Sequence, residues 1–478
     1  MIARSAALRD FTRRDGVRLF AFALAFAAVL GAVLALGAFL DPFGNDLQRA
    51  GGWLLLSVLV VGLLLGWVWR FRPQIWNRSS VLWLIALLLI GATVAIEITR
   101  GRPVLPYVIP IAAVGLLLAV LVDAGTALLV TGLMALLGGA VIGSVEFATY
   151  ILLSGMAGII LVRRGERFSH FFQAAVGIAI VNLGVVTLFT LLGTRDVTGL
   201  AELAGASLAA AGGSAIAALG SFVIVGNLFG ITTSFQLLEL ANPTQKLLRR
   251  LMLEANGTYN HSLLVGNLAE RAAEAIGADP LLARVVAYYH DVGKLDNPLA
   301  YIENQAGGDN VHDDLTPEES VALVKAHVAK GIDLAYQYKL PKPIIAFIPQ
   351  HHGTALISYF HARAKEGAAP VDEARYRHSG PKPQSKEAAI LMLADGVEAS
   401  VRSLSDHDEP TIRAMVDRII RERLEDGQFD ECDLTLRDVE RIREAFVAQL
   451  LGMYHRRVAY PQNKIVEIES RRAAGHSA

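Results

Sequence analysis

His290-Asp291-Val292-Gly293-Lys294, read as HDVGK, lies past the middle of a 478-residue chain. Adjacent His and Asp offer a nitrogen and an oxygen ligand from neighbouring positions. Lys294, three residues after Asp291, shares a helical face with it if the helix runs that far. Upstream stands His261; downstream stand His327, the His351-His352 pair and Asp395. With His290 and Asp291 these make seven groups, the ligand inventory of a two-metal site. Imidazole suits transition metals, and carboxylate suits bridging between them.

Reading outward from HDVGK, the second half of the chain is helical throughout. Helices are expected over about 258–276, stopping at Gly277, and from Pro280 through HDVGK. Others run from Pro317 to about 338 and from Pro343 to the His351-His352 pair. A polar stretch from Gly367 to Gln384 precedes a helix over about 385–404 that carries Asp395. Two tail helices follow, over about 410–424 and 435–455, and no strand pattern of any length interrupts them. A single helical histidine is more often hydrogen-bonded than metal-bound. Here His261, His290, His327 and His351 fall on four separate expected helices, and facing helices of a bundle commonly build metal sites.

The first half has a different character. A basic segment with Arg4, Arg9, Arg13, Arg14 and Arg18 leads into an apolar run at about 19–40, too long for a signal-peptide core. Further apolar stretches lie at about 52–69, 80–99, 104–122, 125–143, 147–162, 170–193 and 208–231, most of them near the ~20 residues a bilayer crossing needs. Eight crossings put Arg70, Arg72 and Arg78, then Arg163, Arg164 and Arg167, then Lys246, Arg249 and Arg250 on the side of the N-terminus. The positive-inside rule makes that side cytoplasmic. The loop with Arg100 and Arg102 is a local exception. Glu97, Asp123 and Glu146 sit near span ends, where interfacial placement explains them better than a transport pathway. Asn242-Pro243 breaks the helix after the last span, and Leu247, Leu248, Leu251 and Leu253 resume an amphipathic one.

The expected organisation is therefore a cytoplasmic basic N-terminus (1–18), a membrane domain (19–232) and a juxtamembrane coupling segment (233–257). An all-helical cytosolic domain (258–461) and a polar tail (462–478) follow. The fold class is all-α, with a polytopic membrane domain in the cell membrane and both termini cytoplasmic. Net charge is −1, so no global field points to polymeric nucleic acid as a partner. The single cysteine, Cys432, excludes an internal disulfide framework and a thiolate cluster. Eleven of the twelve histidines follow residue 255, which places the chemistry in the second half.

The order His, His-Asp, His, His-His, Asp resembles the HD phosphohydrolase superfamily in its two-metal form. More narrowly, the chain is similar to the membrane HD phosphodiesterases of the PgpH type, which hydrolyse cyclic di-AMP. The resemblance covers about 237–461, including LLELANPTQKLLRRLMLEANGTYNHSLLVGNLAE, YYHDVGKLDNPLAYIENQ, HVAKGIDLAYQYKLPKPIIAFIPQHHGT and LMLADGVEASVRS. It continues through DGQFDECDLTLRDVERI to MYHRRVAYP. It implies one metal on His261, His290, Asp291 and Asp395, and a second on Asp291, His327, His351 and His352, with Asp291 bridging. The implied metals are two divalent ions, iron or manganese.

Asp291 and Lys294 are the catalytic candidates, with Lys294 as an extra cation at the phosphate. Lys294 as a surface lysine capping a helix end is the plainer alternative, and Thr354 is a weaker substrate contact. The implied product is linear pApA. His312, His361 and His378 are candidates for the general acid by sequence proximity alone. Two departures stand out. Only Asp41 to Ala50 separate the first two spans, which leaves no room for the large extracellular domain of PgpH-type members. The segment HHGTALISYF also lacks the Gly-Tyr-Pro signature of the related cyclic di-GMP enzymes, which favours cyclic di-AMP. Cyclic di-GMP, short oligonucleotides and nucleotide binding without turnover are the alternatives, and a homodimer is compatible with the sequence.

Overall fold

The computed structural model of the chain describes residues 13–39, 46–76, 78–162, 168–193, 198–305, 310–366 and 370–454. Arg4, Arg9, Arg163, Arg164, Arg167, residues 41–45 of the 41–50 connection and the segment 455–478 lie outside the described residues. The chain divides into two compact units, Met1–Leu240 and Ala241–Ala478. Both are helical, and among the described residues the only β pairing is an isolated bridge between Leu356 and Arg377.

The first unit contains α1 (Arg13–Phe39), α2 (Asp46–Phe71), α3 (Ser79–Ile98), α4 (Ala112–Leu121), α5 (Ala124–Ile142), α6 (Val145–Val162), α7 (Phe168–Leu191), α8 (Leu200–Phe229) and α9 (Ser234–Leu240). Seven of these are long and apolar enough to cross a membrane, with mean hydropathy from 1.9 to 2.7. Between 28% and 56% of each span is buried inside the protein, so the remaining apolar surface faces outward, as lipid contact requires. The eight spans of the sequence reading become seven long helices and a shorter one. The stretch expected at 104–122 is a 3₁₀ turn, Leu105–Val108, followed by the ten-residue α4. Pro106 and Pro110 explain the break, since neither ring can donate to a continuous helical ladder.

Small residues bring these helices close. Gly138 faces Ile151, and Gly155 faces Thr131 so tightly that an added methyl would collide. Asn182 on α7 donates to the Tyr150 hydroxyl on α6 at 2.9 Å, and Tyr150 donates to the Tyr107 carbonyl at 3.1 Å. Asp123 caps α5 through the Thr126 amide at 3.0 Å and pairs with Arg72 at 3.1 Å. Glu97 lies 3.7 Å from Arg100. Both of these carboxylates therefore sit at helix ends beside arginines.

The second unit contains α10 (Lys246–Glu254), α11 (Asn256–Ile276), α12 (Pro280–Tyr289), α13 (Pro317–Gln337), α14 (Ser358–Lys365), α15 (Lys386–Arg402), α16 (Glu409–Glu425) and α17 (Leu436–Met453). On α10, Leu247, Leu248 and Leu251 turn inward, while Leu253 is exposed. Helix α11 is the hub, packing on α10, α12, α15 and α17. It ends at Gly277 with φ +72°, a conformation glycine adopts without strain. Asp279 then caps α12 by accepting from the Leu282 amide. A capping box of Thr316 and Glu319 starts α13, with Pro317 in its first turn. The run Ala388–Ala394 of α15 is buried on every side, so this helix threads the core.

Two boundaries differ from expectation. Helix α12 stops at Tyr289, and Val292–Asp296 forms a 3₁₀ turn. In place of a helix from Pro343 to the histidine pair there are two four-residue helices, Lys342–Ile345 and Phe347–Gln350.

Candidate metal centre

The end of α12 is where the site is built. Gly293 in the 3₁₀ turn lies against the α13 backbone, where a methyl would run into the His327 carbonyl and the Gly331 amide. Only a residue without Cβ allows that approach, and it brings the His290-Asp291 pair up to His327. The turn also returns Lys294 to Asp291, because residues three apart eclipse in a 3₁₀ helix. His261 comes from α11, His327 from α13, Asp395 from α15, and His351 and His352 from the turn after Gln350.

One ligand atom from each of His261, His290, Asp291 and Asp395 falls within 4.8 Å of the others, and so do those of Asp291, His327, His351 and His352. Asp291 belongs to both groups and divides its oxygens between them. Its Oδ2 lies 3.2 Å from His290 Nε2 and 3.8 Å from His261 Nε2. Its Oδ1 lies 3.5 Å from His327 Nε2 and 3.7 Å from His351 Nε2. Asp395 is reached by His261 at 3.0 Å and by His352 at 3.7 Å. The structure thus gathers all seven sequence candidates in one place.

The donor set fits divalent cations. His290, His327 and His351 each give Nδ1–H to a carbonyl three residues earlier, of Ala287 at 2.7 Å, Val324 at 2.6 Å and Ile348 at 2.5 Å. A carbonyl only accepts, so each ring is held with its Nδ1–H outward and its Nε2 facing inward. Outer partners of this kind are what orient metal-ligating histidines. His290 Nε2 and Asp291 Oδ1 are buried and make no hydrogen bond among the described residues. Polar atoms deep in a protein are normally paired, so these two are poised for a ligand.

The electrostatics agree. Burial lowers His327 against the pull of Asp291, and it lowers His351 and His352 with neighbouring histidines adding to it, leaving neutral imidazoles. Burial alone would raise Asp291, but His290 and Lys294 outweigh it and hold the carboxyl well below the usual range. Burial would lower His290, yet Asp291 and Asp395 push it up to about 10. The carboxylates demand positive charge close by.

Lys294 is not a surface helix cap. Its Nζ lies 2.7 Å from Asp291 Oδ2 and 2.7 Å from Glu303 Oε1, and it sits 4.9 Å from the centre of the Tyr301 ring. Burial would lower it, but the two carboxylates hold it above the ordinary lysine range. Thr354 faces elsewhere: its amide donates to Gln428 Oε1 at 3.0 Å, and its hydroxyl accepts from Gln428 Nε2 at 3.0 Å.

The three histidines considered for acid catalysis separate cleanly. His312 bonds the Ala300 carbonyl and packs on Phe360, and His361 packs on Tyr376. His378 stacks on His352, with ring centres 4.2 Å apart. Burial, with His327, Lys325 and Arg423 adding to it, brings His378 down to about 3, so it is neutral at physiological pH.

Three supporting residues were missed in the sequence. Glu398 on α15 meets His261 Nδ1, Glu303 anchors Lys294, and Gln428 braces the turn after the histidine pair. Glu398 had a signal, since it falls one turn after Asp395 on the same helix face. Glu303 and Gln428 lie in irregular segments where spacing carries no information.

Comparison with known proteins adds to this geometry. Residues 47–233 match the family model of 7TM receptors with an intracellular HD hydrolase, and residues 258–400 match that of the HD domain. The cyclic-di-AMP phosphodiesterase PgpH of Bacillus subtilis (strain 168) is 38% identical over 365 residues, covering 74% of this chain and 51% of that protein. PgpH of Listeria monocytogenes serotype 1/2a (strain 10403S) is 37% identical over 430 residues, covering 87% and 59%. The chain thus spans between half and three fifths of these relatives. The crystal structure of the L. monocytogenes PgpH HD domain in complex with cyclic-di-AMP is 46% identical, covers 45% of this chain and 99% of that one, and gives a TM-score of 0.43.

Proposed function

Since the chain belongs to the family of 7TM receptors with an intracellular HD hydrolase, we propose that it is a membrane-anchored phosphodiesterase that hydrolyses cyclic di-AMP to linear pApA. The observation that carries this reading is the pair of metal-donor groups joined through Asp291. The curated relatives named as cyclic-di-AMP phosphodiesterases support the choice of substrate.

In this reading His261, His290, Asp291 and Asp395 hold one divalent ion, and Asp291, His327, His351 and His352 hold the other, with iron or manganese as the native metal. Such ions, when bound, supply Lewis acidity to phosphoryl oxygens and make a water nucleophilic at neutral pH. The chain's own part is to hold four imidazoles with Nε2 inward and to split Asp291 between two positions. Lys294 adds a fixed ammonium beside Asp291, where it attracts a phosphate oxygen. Glu303 keeps that ammonium from swinging away. Thr354 contributes through the backbone turn that carries His351 and His352.

The HD unit is cytoplasmic in this proposal, and the chain is a multi-pass protein of the cell membrane. The family description counts seven spans over 47–233, where six long helices lie, and Leu105–Leu121 is the segment left to make the seventh. With α1, this proposal has eight crossings and both termini on one side.

The test is turnover by the purified full chain in detergent, with manganese or iron supplied, on cyclic di-AMP, cyclic di-GMP and pApA. Conversion of cyclic di-AMP to pApA as the preferred reaction is expected. Absence of cyclic di-AMP turnover in the metal-loaded protein would overturn the assignment.

A further inference from the structure

His261 differs from three of the other gathered histidines in what holds its ring. His290, His327 and His351 donate to carbonyls of their own segments. His261 instead turns Nδ1 to the side chain of Glu398, on another helix. Glu398 is fully buried, at 0% exposure. A buried carboxylate is costly without partners, and among the described residues Glu398 has two: the His261 ring, and the partly exposed Arg402 guanidinium 3.4 Å from its other oxygen.

We propose that Glu398 is a positioning residue for His261 and makes the ion position formed by His261, His290, Asp291 and Asp395 the tighter of the two. A carboxylate behind an imidazole fixes its tautomer and strengthens Nε2 as a donor, as a neutral carbonyl does only weakly. Three carboxylates, of Asp291, Asp395 and Glu398, therefore act on this position, and the Lys294 ammonium on the same Asp291 oxygen is itself balanced by Glu303. The other position has the far oxygen of Asp291 and three imidazoles, and the backing known for His327 and His351 is neutral backbone. The two halves of the centre are unequal in charge, and divalent ions fill them in order.

This inference rests on the two-metal reading above, and metal binding tests it without any assay of turnover. The full chain in detergent is stripped with a chelator and dialysed against graded Mn(II), and bound manganese is counted by mass spectrometry. The wild type takes up two ions in two steps. Glu398→Gln keeps the size and an acceptor but loses the charge. It weakens the first step about 10–100-fold and leaves the second in place, with the thermal unfolding of the metal-free protein unchanged. A purely structural role would instead lower that unfolding temperature and weaken both steps together. The order is also read independently of Glu398: the ion retained by His327→Ala binds more tightly than the ion retained by His261→Ala. Two ions in the wild type with an unaltered or evenly weakened Glu398→Gln titration overturn the role of Glu398, as does the reverse order in the histidine variants. Fewer than two ions in the wild type overturn the metal reading itself.

Discussion

The ammonium of Lys294 lies 2.7 Å from Oδ2 of Asp291, the same oxygen that faces His261 and His290. A cation so placed has two uses: it tempers the charge of the shared carboxylate, and it presents a fixed positive group beside it. Lys294→Met separates them. Loss of a preorganised donor to a charged transition state costs about 10²–10³ in turnover. That drop is expected here with two metals still bound, measured as kcat/KM alongside metal content. A variant that loses its metals would show that Lys294 serves the carboxylate alone.

Asp291 is the one residue common to both donor groups, so its loss is not equivalent to the loss of one ligand. Asp291→Ala is expected to abolish uptake of both ions, whereas His327→Ala retains one. Metal counting on the two purified variants decides the point, and retention of a tightly held ion by Asp291→Ala would rule out sharing.

Gln428 is buried and serves the Thr354 amide and hydroxyl together. Truncation to Ala leaves that amide without its partner, at a cost of about 1–3 kcal/mol. The turn that loosens carries His351 and His352, so the second manganese step weakens more than the first. Chemical denaturation and the manganese titration read the two effects separately.

Gly293→Ala places a methyl into the α13 backbone rather than against a yielding side chain. Overpacking of that kind costs about 1–3 kcal/mol, and here it also drives His290-Asp291 away from His327. Lower thermal stability together with loss of metal is the expected pair of results. An alanine variant that keeps both would show that the backbone can give way.

Much of this was legible in the chain because histidine and aspartate at helical positions carry chemistry on their faces. The order His261, His290-Asp291, His327, His351-His352, Asp395 names every member of the gathered cluster. The all-helical character was equally plain from apolar runs and from boundary residues such as Gly277, Pro280 and Pro317. Three things were not legible. Pro106 and Pro110 signalled a break, but apolar content masked it, so 104–122 read as one span. The end of α12 at Tyr289 follows from the Gly293 contact with α13, a tertiary constraint that local pattern does not express. The partner of Lys294 comes from Glu303, in a run of short 3₁₀ turns with no periodicity to read.

The contact of Gly293 with the His327 carbonyl has a last consequence. Two main chains that touch with no side chain between them form a gauge of fixed thickness. The interval from the His-Asp pair to the third histidine is therefore set by peptide geometry, whose bond lengths do not change from one protein to another. Side chains around the centre can be exchanged to tune grip or preference, while the spacing between the two donor groups stays as it was cut.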